Sequence, residues 1–169
     1  MQVARLAVRL FSATRELHGL GASDERLLVA AALLHDLGWA VRPEAHHKGS
    51  RDIILGIPLR GFSEEERAMI ACLARYHRRA HPSDRHKVYR DLTAPAREKV
   101  RKLAAILRIA DGLDRTHAAT VKRLETRREG PVLTILVQQV PRSAIDLMGA
   151  QRKKGLFEAV FGVEVVIRG

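Results

Sequence analysis

The sequence predicts a mainly α-helical protein, with a helical body over residues 1–119 followed by a small α+β subdomain over residues 120–169. Two observations carry this expectation. Up to about residue 119 the apolar residues recur at helical spacing, and after Thr120 they alternate in short runs punctuated by Gly and Pro. A chain of 169 residues, 46% of them hydrophobic, lies outside the disordered class. It is also long enough to bury roughly 70% of its unfolded surface without covalent staples.

Val3, Leu6, Ala7, Leu10, Phe11 and Leu17 share a helical period and predict a first helix over residues 1–17, ended by His18-Gly19-Leu20-Gly21. Ser23 and Asp24 are suited to cap a second helix running to Leu37. Its residues 27–34 are apolar on every side, which predicts a central position, and Gly38 stops it. A short helix is expected over residues 51–55 and a loop over 56–61. Ser63-x-x-Glu66 is a capping box, with acidic residues in the first turn, for a helix to about His77. Residues 78–92 read as a long basic loop. Thr93 caps a helix to about His117 whose buried stripe is Val100, Leu103, Leu107 and Ala110. Beyond Thr120, residues 121–128 and 132–139 predict a hairpin turning at Glu129-Gly130-Pro131. Residues 144–148 read as a short extended piece, 151–161 as a helix broken by Gly162, and 163–167 as a last strand.

Thirty Lys and Arg face nineteen Asp and Glu, giving a formal net charge of +11. An Arg-rich surface would produce such a surplus anywhere along the chain. Here residues 75–102 hold 10 basic and 3 acidic side chains, net +7, together with His77, His81 and His86. That concentration predicts a patch for an anionic partner. Tyr76 and Tyr89 are the only aromatics there, so phosphate contact fits better than base stacking. The longest apolar run, eight residues, falls short of the ~20 needed to span a membrane. Residues 1–11 mix Arg5 and Arg9 into their pattern and lack the core of a signal peptide. The lone Cys72 excludes an internal disulfide and a thiolate metal cluster. The expectation is a cytoplasmic protein with no membrane partner.

His35 and Asp36 stand side by side at the end of an apolar helix, and Asp111 lies four residues after Leu107 and eight after Leu103, which aims it inward. A carboxylate facing a core needs a counter-charge. A His–Asp pair with a distant Asp offers mixed nitrogen and oxygen donors, suited to Mn²⁺, Fe²⁺, Mg²⁺ or Zn²⁺. Such an ion acidifies a water and polarises a phosphoryl oxygen. Taken one at a time these residues are ordinary core groups, with Asp111 meeting Arg108 or Arg115. Cys72 reads as a small core residue, His18 and His117 as helix-end residues, and His81, His86 and Lys153-Lys154 as solvated positions.

Four segments taken together narrow the reading: Ala31-Ala32-Leu33-Leu34-His35-Asp36-Leu37-Gly38, His46-His47-Lys48-Gly49-Ser50, Ala74-Arg75-Tyr76-His77-Arg78-Arg79, and the stretch from Leu103 through Ala110-Asp111-Gly112 to Arg115. In this order they resemble the HD domain, an all-helical metal-dependent phosphohydrolase fold. More narrowly they resemble the C-terminal HD region of Ppx/GppA phosphatases, exopolyphosphatases and guanosine pentaphosphate phosphohydrolases; Leu156-Phe157-Glu158-Ala159-Val160-Phe161-Gly162 is similar to the segment that follows there. The resemblance implies an HD-type helical bundle with a divalent metal held by His35, Asp36 and Asp111. His46 or His47, and His77, match further histidines for a second metal or for phosphate. Asp36 and His77 would be catalytic, and Lys48, Arg75, Arg78 and Arg79 would contact a phosphate-rich substrate, polyphosphate or a nucleotide. Two departures stand out. The first histidine of the HD ligand set would fall at or before Met1, with His18 too near to replace it. The actin-like domain that carries hydrolysis in the family lies outside these residues. A metal-dependent phosphohydrolase is therefore expected. The alternative is a polyanion-binding or dimerisation module that works with a separate actin-like phosphatase domain, the chain itself forming a homodimer.

Overall fold

The computed structural model describes residues 1–169. The first expected helix is divided into α1 (Gln2–Ala13) and a single turn, α2 (Arg15–His18). The division falls at Thr14, whose hydroxyl donates to the Leu10 carbonyl at 2.7 Å. His18 closes the turn: one ring nitrogen meets the Phe11 carbonyl at 2.8 Å and the other accepts from the Leu20 amide at 2.9 Å. α3 (Ala22–Leu34) starts at a Gly21 cap rather than at Ser23, because the Asp24 carboxylate reaches back to accept from the Gly21 amide. Two 3-10 turns, Leu37–Ala40 and Pro43–Ala45, lead into α4 (His46–Gly56), which begins five residues earlier than the helix expected over 51–55. α5 (Glu64–Tyr76) opens on the expected capping box: Ser63 Oγ accepts from the Glu66 amide, and the Glu66 carboxylate accepts from the Ser63 amide. The basic loop contains one helical turn, α6 (Lys87–Arg90). Thr93 caps α7 (Ala94–Gly112), the longest helix, which packs against α1, α3, α5 and two later helices.

The change of texture after Thr120 is a change of structure. β1 (Val121–Glu129) and β2 (Val132–Gln139) form the expected antiparallel hairpin, with Glu129 opposite Val132. The piece expected to be extended at 144–148 is instead helical, α8 (Ala144–Lys153). Ser143 caps it by accepting from the Asp146 amide at 3.2 Å, a local bond that outweighs the weak helical pattern of Met148-Gly149. The helix expected over 151–161 divides at Lys154, giving α9 (Gly155–Phe161). β3 (Glu164–Arg168) then pairs parallel to β2, so the order is β1-β2-β3. One cluster of 42 buried apolar residues runs through both parts. It includes Leu133, Ile135, Val165 and Ile167 of the sheet and Leu103, Ile106 and Leu107 of α7. Arg5 and Gln2 of α1 also donate to the Val121 carbonyl. No helix is long and apolar enough to cross a membrane.

α8 lies against the end of α7 through two glycines. A Cβ added at Gly112 would stand 2.6 Å from Ala150 Cα, and one at Gly149 would stand 2.5 Å from the Gly112 carbonyl oxygen. The neighbour in each case is backbone and has nowhere to move. The Asp146 carboxylate, fully buried, fixes the same helix by accepting from the Thr116 amide and from the Thr116 and Thr120 hydroxyls. Gly112→Ala is expected to destabilise the protein by about 1–3 kcal/mol in urea denaturation, the usual cost of overpacking. Hydrogen exchange should speed first in α8. A change below about 0.5 kcal/mol would show that the two helices are not held at this spacing.

Candidate metal centre and phosphate cleft

Four helix ends converge on one point. His35 follows the last residue of α3, His46 begins α4, His77 follows the last residue of α5, and Asp111 lies in the last turn of α7. Asp36 enters from the turn after His35. That turn is clamped by Ser50 of α4, whose hydroxyl donates to the His35 carbonyl (2.5 Å) and accepts from the Gly38 amide (2.8 Å). A Cβ at Gly38 would collide with the His46 carbonyl and the Ser50 amide, so glycine is what lets α4 approach the His–Asp pair.

Each histidine is oriented by its own backbone. His35 Nδ1 lies 2.9 Å from the Ala32 carbonyl, His46 Nδ1 3.2 Å from that of Pro43, and His77 Nδ1 2.6 Å from that of Ala74. A carbonyl only accepts, so Nδ1 carries the hydrogen in all three and Nε2 is left to face inward. His46 Nε2 and His77 Nε2 are 3.3 Å apart. Asp36 Oδ1 lies 3.3 Å from the first and 3.8 Å from the second, and these three donors all lie within 4.8 Å of one another. His35 Nε2 lies 3.3 Å from Asp36 Oδ2 and 3.6 Å from Asp111 Oδ1 without an aligned hydrogen bond. Asp111 Oδ2 is held by the Lys153 ammonium, reaching in from α8.

The electrostatics follow from this geometry. Burial opposes a charge on His35, but the Asp111 and Asp36 carboxylates beside its Nε2 outweigh it and raise its pKa to about 10. Burial dominates at His77 and lowers it to about 3, with His35 and Lys153 adding repulsion against the pull of Asp111. His46 is also lowered, chiefly by burial. Burial pushes both carboxylates up, yet His35 holds Asp36 below the usual carboxylate range, and His35 with Lys153 holds Asp111 well below it. His46 and His77 thus stand neutral, with lone pairs directed at each other and at a carboxylate. The nitrogen and oxygen atoms of this set, with Nδ1–H bonded to backbone behind, are of the kind that fits a divalent transition ion.

A cleft of about 400 Å³ opens above this cluster. Asp36, His46, His77 and Asp111 form its floor. Its walls carry Arg78, Arg79, Arg115, Arg152 and Lys153, with exposed Trp39, Ile145 and Met148 at the rim. Arg78 Nη1 lies 3.2 Å from His46 Nε2. Of the residues singled out in the sequence, the structure brings His35, Asp36, His46, His77, Asp111, Arg78 and Arg79 together here. It places the others elsewhere. His47 is not among the converging donors; its Nδ1 is buried without a partner and its pKa is lowered to about 4 by burial and the nearby Arg75, Arg78 and Arg79. Arg75 lies near Arg51 and Asp52, and Lys48 near His86, outside the cleft. Four of the ten basic residues of the window are closely paired with carboxylates: Lys87 with Asp91, Arg97 with Asp84 and Lys102 with Glu98 inside it, and Lys99 with Asp24 of α3. Arg108 does not meet Asp111 but caps α5 by donating to the Tyr76 and Arg79 carbonyls. Cys72 is buried, its thiol pushed up to about 12 by burial.

Arg115, Arg152, Lys153, Trp39 and His117 were not picked out as site residues in the sequence. Lys153 reads there as a solvated residue of a charged helix, whereas its side chain is 17% exposed. The only available signal was that Asp111 needed a cation and that neither nearby arginine was fixed as its partner.

The architecture is thus a helical domain with a His–Asp cluster beneath a cationic cleft, closed on one side by a small α+β subdomain. The chain belongs to the Ppx/GppA phosphatase family: residues 1–140 match the family model "Ppx/GppA phosphatase, domain III". Among curated proteins it is similar to the guanosine-5'-triphosphate,3'-diphosphate pyrophosphatase of Pseudoalteromonas atlantica, at 30% identity over 110 residues. It is similar to the protein of the same name from Pseudoalteromonas translucida at 32% over 110 residues. These matches cover 64% of this chain and 21% of each relative, so the chain corresponds to about a fifth of their length.

The metal-free centre has a calculable sign with pH. Unfolded His35 titrates near 6.5 and folded His35 near 10. Its contribution to stability is therefore complete below about pH 6.5, where both states hold the proton, and disappears as pH rises through 10. The gap in urea midpoint between the native chain and His35→Gln, measured in chelator, should narrow steadily from pH 6.5 to 10. A gap that widens over that range contradicts the assignment.

Proposed function

We propose that this chain is an HD-type, metal-dependent phosphohydrolase domain acting on polyphosphate or a phosphorylated nucleotide. The observation that carries the proposal is the set of inward Nε2 lone pairs on His46 and His77, beside Asp36, at the base of an arginine-walled cleft. His35, Asp36, His46, His77 and Asp111 would hold the ion; the imidazoles favour Fe²⁺ or Zn²⁺ over Mg²⁺, and the two carboxylates also suit Mn²⁺. A bound divalent ion supplies an acidified water and a Lewis acid for a phosphoryl oxygen. Arg78, Arg79, Arg115 and Arg152 would grip the remaining phosphate oxygens, for which guanidinium forks are well matched. Asp36 and His77 are the residues this reading takes as catalytic, Asp36 reaching His77 at 3.8 Å on the floor of the cleft. The domain-level phosphatase kinship supports the same reading.

A second reading is favoured by the cationic walls: a polyanion-binding or dimerisation module that works with a separate actin-like phosphatase domain. One set of measurements separates the two. Asp36→Asn and His77→Gln should each lower Mn²⁺ retention and any phosphohydrolase turnover at least about 100-fold if the centre is catalytic. Polyphosphate binding that is steeply salt-dependent, survives those changes and weakens with Arg78→Gln plus Arg79→Gln favours the binding module. Native protein that neither retains a divalent ion nor hydrolyses any phosphoanhydride overturns the first reading.

Metal uptake also has a proton signature. His35 is protonated at neutral pH in the free protein, and a ligand must be bare. Calorimetric titration with Mn²⁺ at pH 7.5, in buffers of different ionisation enthalpy, is expected to show release of close to one proton per ion. No release would exclude His35 from the ligand set.

A further inference from the structure

The ion pair between Lys153 and Asp111 has no place in the ligand set just described. Lys153 is the last residue of α8, beyond the 140 residues matched by the family model. Its ammonium reaches Asp111 Oδ2, while Asp111 Oδ1 faces His35. Both partners are largely shielded from water, at 17% and 10% side-chain exposure. The ammonium is not there for want of other anchors on α8, because Asp146 and the Gly112–Gly149 contact already dock that helix. That docking is what delivers Lys153 to the floor of the cleft. The charged groups around it are Arg108 and Arg115, from α7 and the turn after it, with Asp111 the one carboxylate it binds; the neutral His77 ring faces it from the end of α5.

We propose that Lys153 is a built-in counter-cation that competes with a divalent ion for Asp111, so that the C-terminal subdomain sets the metal affinity of the centre. This rests on the metal-centre reading above. In the free protein the ammonium satisfies a buried carboxylate that would otherwise be costly to hold. When an ion enters, a positive charge already sits on the carboxylate it must share, and two arginines stand behind that charge. Lys153 is therefore a positioning residue whose removal has opposite effects on two quantities. Without it the free protein loses the partner of a buried charge and is less stable. The ion meets less repulsion and binds more tightly. A lysine with a purely structural role would weaken both.

The test uses the full chain with Lys153→Met, which keeps length and apolar stem, and Lys153→Arg, which keeps the charge. Urea denaturation in chelator and Mn²⁺ titration calorimetry are measured on each. Lys153→Met is expected to lower metal-free stability and to tighten Mn²⁺ binding at least about tenfold. Lys153→Arg should retain the native, weaker affinity. If Lys153→Met does not fold without metal, the Mn²⁺ concentration that restores folding gives its affinity, and failure of Mn²⁺ to restore folding overturns the proposal. Unchanged or weaker Mn²⁺ binding by Lys153→Met, with the native chain binding normally, overturns the role of Lys153 and leaves the metal centre standing. Absence of Mn²⁺ binding by both chains overturns the metal centre as well.

Discussion

His35, His46 and His77 donate Nδ1–H to the carbonyls of Ala32, Pro43 and Ala74, each three residues back. Because the donor side of each ring is tied to backbone, the other nitrogen has one direction left to face, and that direction is fixed by where a helix begins or ends. α3 and α5 stop at His35 and His77 and α4 starts at His46, so the three helices are arranged by the same requirement that arranges the imidazoles. Ser50 joins two of these ends directly, bridging the His35 carbonyl and the Gly38 amide. A centre built this way is as rigid as the helical core beneath it, where Ile54, Leu73 and Leu107 are fully buried.

The small subdomain is part of that centre rather than an attachment to it. Its hairpin is held to α1 by side chains of Gln2, Arg5 and Arg9 bonding to Val121 and Lys122 carbonyls, and its sheet shares the one apolar core. α8 then fills the side of the cleft opposite α4. The close approach at Gly112 and Gly149 puts Lys153 within reach of Asp111 and Arg152 on the cleft wall. Packing at one end of α7 is therefore coupled to the electrostatics of its last turn.

What the sequence made legible follows from locality. The His35–Asp36 pair is adjacent and ends an apolar helix, and the phase of Asp111 against Leu103 and Leu107 is internal to α7, so both could be placed before any fold was known. His46 and His47 could not be separated. Neighbours on a helix point about 100° apart, and choosing between them requires the start of α4, which the 3-10 turns before it determine. The hairpin announces itself by alternation and its Gly130 turn, whereas the parallel pairing of β3 with β2 joins residues some 30 positions apart and leaves no local trace. α8 has a weak pattern of its own and owes its start to the Ser143 cap, and the burial of Lys153 depends on a carboxylate 42 residues away, so neither leaves a local signal.

Two carboxylates, Asp36 and Asp111, sit low among basic groups, and three kinds of positive charge can satisfy them. In the free protein a proton on His35 lies between them and the Lys153 ammonium binds one from outside. A divalent ion would take the place of the proton and contend with the ammonium. These alternatives differ in what they leave for the cleft above. With proton and ammonium in place, Asp36 and Asp111 are matched, Arg78 lies half-buried against His46, and Arg79, Arg115 and Arg152 are exposed in the cleft. Adding a dication raises the positive charge of the cleft further, and the ligand that relieves it must carry several negative charges on a compact group. Phosphate oxygens meet that requirement. The same surplus of charge therefore argues for a phosphate-bearing ligand whichever cation holds the floor.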